Sequence, residues 1–302
     1  MKDKIVVKLQ GGLGNQLFQY AYAKRMQEMF PEKQIILDIS YYRSAHIRSL
    51  ELQKLSIDST VEWSEEYRPF FETAYKVFRA EKSLYVKFGK RLKSRPLLEK
   101  AGYYFNYAGS DYWKPRKNLK NIYLAGYFQN ERQIRPVRDE IIRTIKPKDN
   151  LSEKARDYLK AIQQGRSLGI SIRAGQDYKD MGWVVCSKAY YLNGIREILA
   201  DGKERNLFVF SDCLDTIREE GWFKQYHVTY IDGCDAAEGL YLLSSCNDFV
   251  IANSTFAWWG AYLGCDREKR IVMPEYFIET DRTSEGGLYL DDAVYRENQP
   301  PE

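Results

Sequence analysis

Between residues 167 and 274 strand-like apolar runs alternate with helix-like amphipathic runs, and few architectures accept such a series. SLGISI, NLFVFS, HVTYI, DFVIA and RIVMP are short and rich in Val, Ile and Phe, while residues 188–199, 216–223, 236–245 and 255–263 carry helical spacing. Parallel strands need a long crossover, and a helix supplies it, so the alternation predicts a doubly wound parallel sheet. In such sheets ligands bind outside the carboxyl ends of the strands. The residues just after each strand are therefore the ones to read for chemistry.

The amino terminus follows the same logic. Val6, Val7 and Leu9 precede Gly11, Gly12 and Gly14, and Leu17, Phe18, Ala21 and Tyr22 then fall at helical offsets. QIILDIS (34–40) reads as a second strand, with Phe30-Pro31 closing the helix before it. Glycines at such a junction let a ligand approach the main chain, and the helix start offers N–H groups to an anion. The dinucleotide fingerprint is incomplete, because Leu17 occupies its third glycine position, which disfavours an NAD-dependent oxidoreductase. The distinctive residues are the amides Asn15 and Gln16. Further on, NIYLAGYFQNE (121–131) predicts a strand entering a glycine-containing loop, 134–146 a helix stopped by Pro147, and LSEKARDYLKAIQQG a helix capped by Ser152. A chain of 302 residues has room for two such units. The expected division is an N-terminal lobe over 1–149, a second, doubly wound lobe over 150–290 and a loosely held tail over 291–302.

Composition removes several classes. No apolar run approaches the ~18 residues of a membrane span, and MKDKIVVKLQ is too briefly apolar for a signal peptide, so the cytoplasm is the expected compartment. The five cysteines never form a Cys-x-x-Cys pair, which favours reduced thiols over a zinc site. Only two histidines occur, His46 and His227, so chemistry that requires histidine is disfavoured. No Asp-x-Asp follows a strand; neither metal, nor cofactor, nor nucleic acid is expected. Residues 76–100 carry nine Lys/Arg against two acids; the whole chain is +4, so everything outside that +7 segment nets −3. Interleaved with Val77, Phe78, Leu84, Tyr85, Val86, Phe88 and Leu92, this segment reads either as a peripheral contact with an anionic membrane or as a solvated helical hairpin.

Three strand ends of the second half carry candidate chemistry. After SLGISI come Arg173 and, four residues on, Asp177; an arginine there can hold a phosphate by two parallel hydrogen bonds, and Asp177 can orient it, the alternative being an ordinary surface ion pair. NLFVFS ends in Ser211-Asp212-Cys213. DFVIA ends in Asn253-Ser254-Thr255, where hydroxyls and free helix N–H groups suit a diphosphate, or where Ser254 or Thr255 simply caps the helix.

GGLGNQLFQYAYA, LAGYFQNE, SIRAGQDY, FSDC and ANSTFAWWGAYL together resemble the bacterial α-1,2-fucosyltransferases of glycosyltransferase family 11. The resemblance implies an α/β, two-lobed GT-B-like fold with doubly wound parallel sheets, GDP-fucose as donor, no metal, and inverting transfer to a glycan hydroxyl, commonly the 2-hydroxyl of galactose. It places the nucleotide in the second lobe and gives the first a part in holding the acceptor, with the GGLGNQ loop across a cleft from Arg173. Implied catalytic residues are Arg173, Asn15 and Asp177; implied sugar-nucleotide contacts are Gly12, Gly14, Gln16, Asn253, Ser254, Thr255, Ser211 and Asp212. Asp177 and Asp180 are candidates for the general base, and Asp232 or the main chain around Gly233 for purine contacts. The family's His-x-Arg-Arg-x-Asp motif falls on Ser171, Ile172, Arg173, Ala174, Gly175 and either Gln176 or Asp177. Here the histidine is Ser171 and the second arginine Ala174, and the spelling Arg-x-Gly-x-Asp is similar to the loop of protein O-fucosyltransferases. Those two replacements also motivate a second reading, a sugar-nucleotide-binding protein that has lost catalysis.

Overall fold

The structure is a computed structural model that describes residues 3–44, 48–88, 94–106, 115–175, 185–264, 268–278, 281–282 and 287–301. The chain divides into two compact units, Met1–Gln53 with Ile57–Thr144, and Lys54–Ser56 with Ile145–Glu302.

The first unit runs β1 (Lys4–Lys8), α1 (Leu13–Met29), β2 (Gln34–Asp38), β3 (Glu62–Ser64), α2 (Arg68–Phe88), α3 (Ser94–Lys100), β4 (Tyr103–Asn106), β5 (Asn121–Gly126), α4 (Glu131–Ile134) and α5 (Arg138–Thr144). Its sheet has the order β3-β2-β1-β5-β4, parallel throughout. Strands covered on both faces should be apolar without alternation, and in the central strand Ile5, Val6 and Val7 are all buried. Leu17, Phe18, Tyr20, Ala21 and Tyr22 of α1 are buried as well, so this helix is enclosed nearly all round rather than amphipathic. The basic stretch 76–100 takes up most of α2 and all of α3, and Phe71 and Ala74 of α2 face the core. The strands β3 and β4 are additions to the sequence expectation.

The second unit runs α6 (Glu153–Gln163), β6 (Ser167–Ile172), α7 (Lys188–Leu199), β7 (Asn206–Ser211), α8 (Leu214–Glu219), β8 (Val228–Ile231), α9 (Ala236–Ser244), β9 (Asp248–Ile251), α10 (Thr255–Leu263), β10 (Ile271–Pro274), β11 (Tyr276–Ile278), β12 (Asp281–Arg282) and β13 (Ala293–Arg296). Six strands form a parallel sheet of order β13-β10-β9-β6-β7-β8, and β11 pairs antiparallel with β12. Counted from β6, this is the strand order of nucleotide-binding sheets, with the direction of winding reversing between β6 and β9. Helix α8 starts two residues earlier than the 216–223 expected and is shorter. The loose tail is also corrected: β13 pairs in register with β10 over four residues, and buried Asn298 exchanges hydrogen bonds with the Tyr276 backbone at 2.9 and 2.8 Å.

At the amino edge of this sheet sits a buried ionic cluster. Asp248, the first residue of β9, accepts from Arg166 at 2.8 and 2.9 Å, from Arg205 at 2.5 Å and from the Arg270 amide at 2.8 Å. Burial pushes its carboxyl up, but the arginine hydrogen bonds outweigh it and hold the group below the usual carboxylate range. The cluster anchors the edge remote from the ligand side, and removing one partner would strand the other charges. Among the described residues no helix is long and apolar enough to cross a membrane.

Candidate functional site

The carboxyl edge of the second sheet is assembled by strand register. Ile172 of β6 lies opposite Ser211 of β7, so the next residues, Arg173 and Asp212, emerge side by side. Arg173 Nη1 donates to Asp212 Oδ2, and the Ala174 amide donates to Asp212 Oδ1 at 3.3 Å. One carboxylate thus fixes both the guanidinium and the start of its loop. Asp177 and Asp180 lie outside the described residues, as do Gln176, His46 and Cys265. Ser211 faces its own turn: its hydroxyl accepts from the Cys213 amide at 3.1 Å.

On the other side of β6, Ser171 pairs with Ile251 of β9, and the Ala252 amide donates to the Ser171 carbonyl at 2.9 Å. The chain then turns through Asn253 and Ser254 into α10. Asn253 is buried and points inward, donating to the Phe277 carbonyl at 3.2 Å and receiving the Cys186 thiol at 3.7 Å. Ser254 occupies the N-cap position of α10, yet its side chain makes no cap bond. In the same unit Ser152 caps α6, Ser187 caps α7, and Asp235 with Glu238 forms a capping box on α9, while α8 starts, like α10, without a side-chain cap. A helix start without a side-chain cap keeps its N–H groups and the positive end of its dipole available for an anion. Trp258, Trp259 and Tyr262 lock α10 in place, Trp258 stacking on Tyr262 with centroids 4.5 Å apart and donating to the Leu288 carbonyl at 2.9 Å.

Asp232 stands on the same edge, just beyond β8. It accepts from Lys154 at 2.6 Å and from Arg218 at 2.9 Å, and these cations, Lys154 first, hold its carboxyl below the usual range. The Arg218 guanidinium also lies over the Tyr230 ring, 4.9 Å from its centroid. Among the described residues no three His, Cys, Asp or Glu side chains gather as a metal site would require.

The first unit presents its own loop at the carboxyl ends of β1 and β5. Gly12 is the N-cap of α1, in extended conformation with no cap side chain, and Gly14, Asn15 and Gln16 form the first turn. Gly11 has φ +81, and a Cβ there would stand 2.6 Å from Asn15 Nδ2, so the position requires glycine. Gln16 is fully buried; its Nε2 donates to the Gly11 and Ser49 carbonyls at 2.9 Å each, and its Oε1 accepts from the Glu51 and Leu52 amides at 3.0 and 2.8 Å. That uses the full capacity of the amide and assigns Gln16 to tying 49–52 onto α1 rather than to a ligand. Gln19, which the sequence did not single out, bridges the two strand ends: it exchanges hydrogen bonds with the Gln10 backbone at 3.0 and 3.2 Å and donates to the Gly126 carbonyl at 2.9 Å. Gly126 (φ +148) packs where a Cβ would lie 1.8 Å from the Asn106 carbonyl oxygen. Two residues later Phe128 adopts φ 51, a strained conformation for a bulky residue, costing on the order of 1–3 kcal/mol. It is held by burial and by stacking on Tyr22, centroids 4.4 Å apart. Gln129 follows, and its Nε2 donates to Asn15 Oδ1 at 2.8 Å.

Two parallel α/β sheets in one chain, one in nucleotide-binding order with an arginine and an uncapped helix start at its reversal point, define a GT-B-like glycosyltransferase fold. The chain belongs to glycosyl transferase family 11, whose description matches residues 4–297. It is 30% identical to the O-antigen biosynthesis glycosyltransferase WbnK of Escherichia coli, over 91% of this chain and 95% of that protein. It is 28% identical to an Escherichia coli alpha-1,2-colitosyltransferase over 86% and 87% of the two chains. Among solved structures, the α-1,6-fucosyltransferase NodZ soaked with GDP-fucose is similar in fold, with a TM-score of 0.50, 14% identity and coverage of 87% of this chain and 93% of that one.

Proposed function

We propose that this glycosyltransferase moves fucose from GDP-fucose to a hydroxyl of a surface glycan, the 2-hydroxyl of a galactose, with inversion and without a metal. The observation that carries the reading is the carboxyl edge of the second sheet, where Arg173, held by Asp212, stands at the winding reversal next to the uncapped start of α10. Breaking the bond between sugar C1 and the β-phosphate oxygen leaves the electron pair on GDP, while the acceptor oxygen attacks C1 from the opposite face and gives up its proton to a carboxylate base, Asp177 or Asp180. The leaving diphosphate needs fixed positive charge, which a guanidinium, two hydroxyls and helix N–H groups supply in place of a cation. Asp232 offers a carboxylate acceptor to the N1–H and N2–H donors of guanine; in the first unit, Asn15 offers amide donors to the oxygens of a sugar substrate. The O-antigen relative supports a surface polysaccharide as the product. We place the reaction at the cytoplasmic face of an anionic membrane, approached through 76–100.

The colitosyltransferase relative favours one specific second reading of the donor. Colitose is fucose without its 3-hydroxyl, so the two donors separate only if the protein hydrogen-bonds that hydroxyl. A thermal-shift panel of GDP, GDP-fucose, GDP-colitose, GDP-mannose and UDP-sugars tests both. The expected result is stabilisation by the guanosine compounds alone, about 2.7 kcal/mol at a hundredfold excess over Kd, with GDP-fucose above GDP-mannose. Stabilisation by UDP-sugars alone would overturn the donor assignment.

A further inference from the structure

Asn15 sits in the first turn of α1 with its two amide atoms in different surroundings. Its Oδ1 receives the Gln129 Nε2 donor at 2.8 Å. Its Nδ2 lies over the bare backbone of Gly11, close enough that a Cβ there would stand 2.6 Å away. No described residue accepts from this Nδ2, while Asn15 itself is only half-buried. A carboxamide whose oxygen is already satisfied presents only N–H donors outward, which suits an oxygen-rich ligand such as a phosphate or a sugar hydroxyl.

The partner is built to be there. Gln129 follows Phe128, whose left-handed backbone is held by stacking on Tyr22 of the same helix that carries Asn15. The Asn130 amide closes the turn onto the Phe128 carbonyl at 2.8 Å, and the Tyr127 amide ties it to Asn106 at 2.8 Å. A strained residue kept in a buried turn points to something its geometry must place, and what this turn places is the Gln129 amide.

We infer that Gln129 is a positioning residue that fixes which way the Asn15 amide faces, so that Asn15 offers its N–H groups to the oxygens of a sugar substrate. This rests on the reading of Asn15 as a donor contact given above. If Gln129 could only accept, Asn15 would turn to give it Nδ2 and would present its carbonyl oxygen to the ligand. Substituting glutamate, which accepts and does not donate, enforces that reversal.

The test compares Q129E, Q129A and N15A singly, and Q129E and Q129A each combined with N15A, measuring kcat and KM for GDP-fucose, Kd for GDP and melting temperature. Q129E should lower kcat at least about tenfold and more than Q129A does, with GDP affinity and melting temperature close to the parent. In the N15A background either Gln129 change should add less than about twofold, because both act through one amide. Additive losses in that background, or a fully active Q129E, would overturn the inference while leaving Asn15 its role. A fully active N15A would overturn both the inference and the place of Asn15 in the proposed reaction.

Discussion

Ser254 separates two jobs that a serine at a helix start can do. A capping serine replaced by alanine costs about 1 kcal/mol of stability. Ser254 makes no cap bond, so S254A should leave the melting temperature nearly unchanged and instead raise KM for the donor and Kd for GDP, read by calorimetry and initial rates. A lowered melting temperature with unchanged donor affinity would return Ser254 to capping. The same distinction governs how far single residues were legible. Arg173 could be picked from the sequence because an arginine just past a buried strand is conspicuous, but its partner Asp212 is 39 positions away and only strand register joins them. Asn15 and Gln16 are neighbouring amides that the sequence assigns to one ligand loop. One helical step separates their directions: Gln16 turns into the core and spends its amide on backbone, whereas Asn15 stays half-buried. Gln19 gave no local signal, since the strand ends it joins meet only in the folded unit.

Among the elements, the strands and helices after residue 167 were readable because buried parallel strands are uniformly apolar and their crossovers are long. β13 escaped notice because AVYR, with its half-buried and exposed residues, alternates like an edge strand and follows two acids. β3 and β4 escaped for a related reason: EWS is exposed to half-buried, and YYFN is a mixed edge strand just past the basic segment 76–100. That region gives the element-scale prediction. Among the described residues, five of the six exposed large apolar ones, Trp63, Phe70, Tyr75, Val77 and Leu97, fall between 63 and 97, and Lys76 and Arg79 are exposed beside them. Apolar side chains set among fixed positive charge fit an anionic bilayer. The protein should co-sediment with phosphatidylglycerol vesicles and not with phosphatidylcholine vesicles, and should be released by salt. Equal recovery from both lipids would mean that α2 and α3 are only a solvated pair of helices.

For the whole molecule, the two units repeat one architectural idea with different contents. Each has a parallel sheet whose order reverses at a central strand, and each places a helix without a side-chain cap after a strand at that reversal, α1 after β1 and α10 after β9. The second unit adds the charges: Arg173 with Asp212, and Asp232 with Lys154 and Arg218. The first adds an amide and a strained turn. Repetition of the fold is what the sequence rhythm announced, whereas the division of chemistry depends on contacts that rhythm does not encode. The central claim is that the Arg173 guanidinium carries the leaving diphosphate of a guanosine sugar. Its most direct test is the rate of GDP release and fucose transfer from GDP-fucose to galactose-terminated glycans, measured for the parent protein and for R173A with an unchanged circular dichroism spectrum. The account predicts transfer by the parent and a loss of about a hundredfold or more in R173A; full activity in R173A would contradict it.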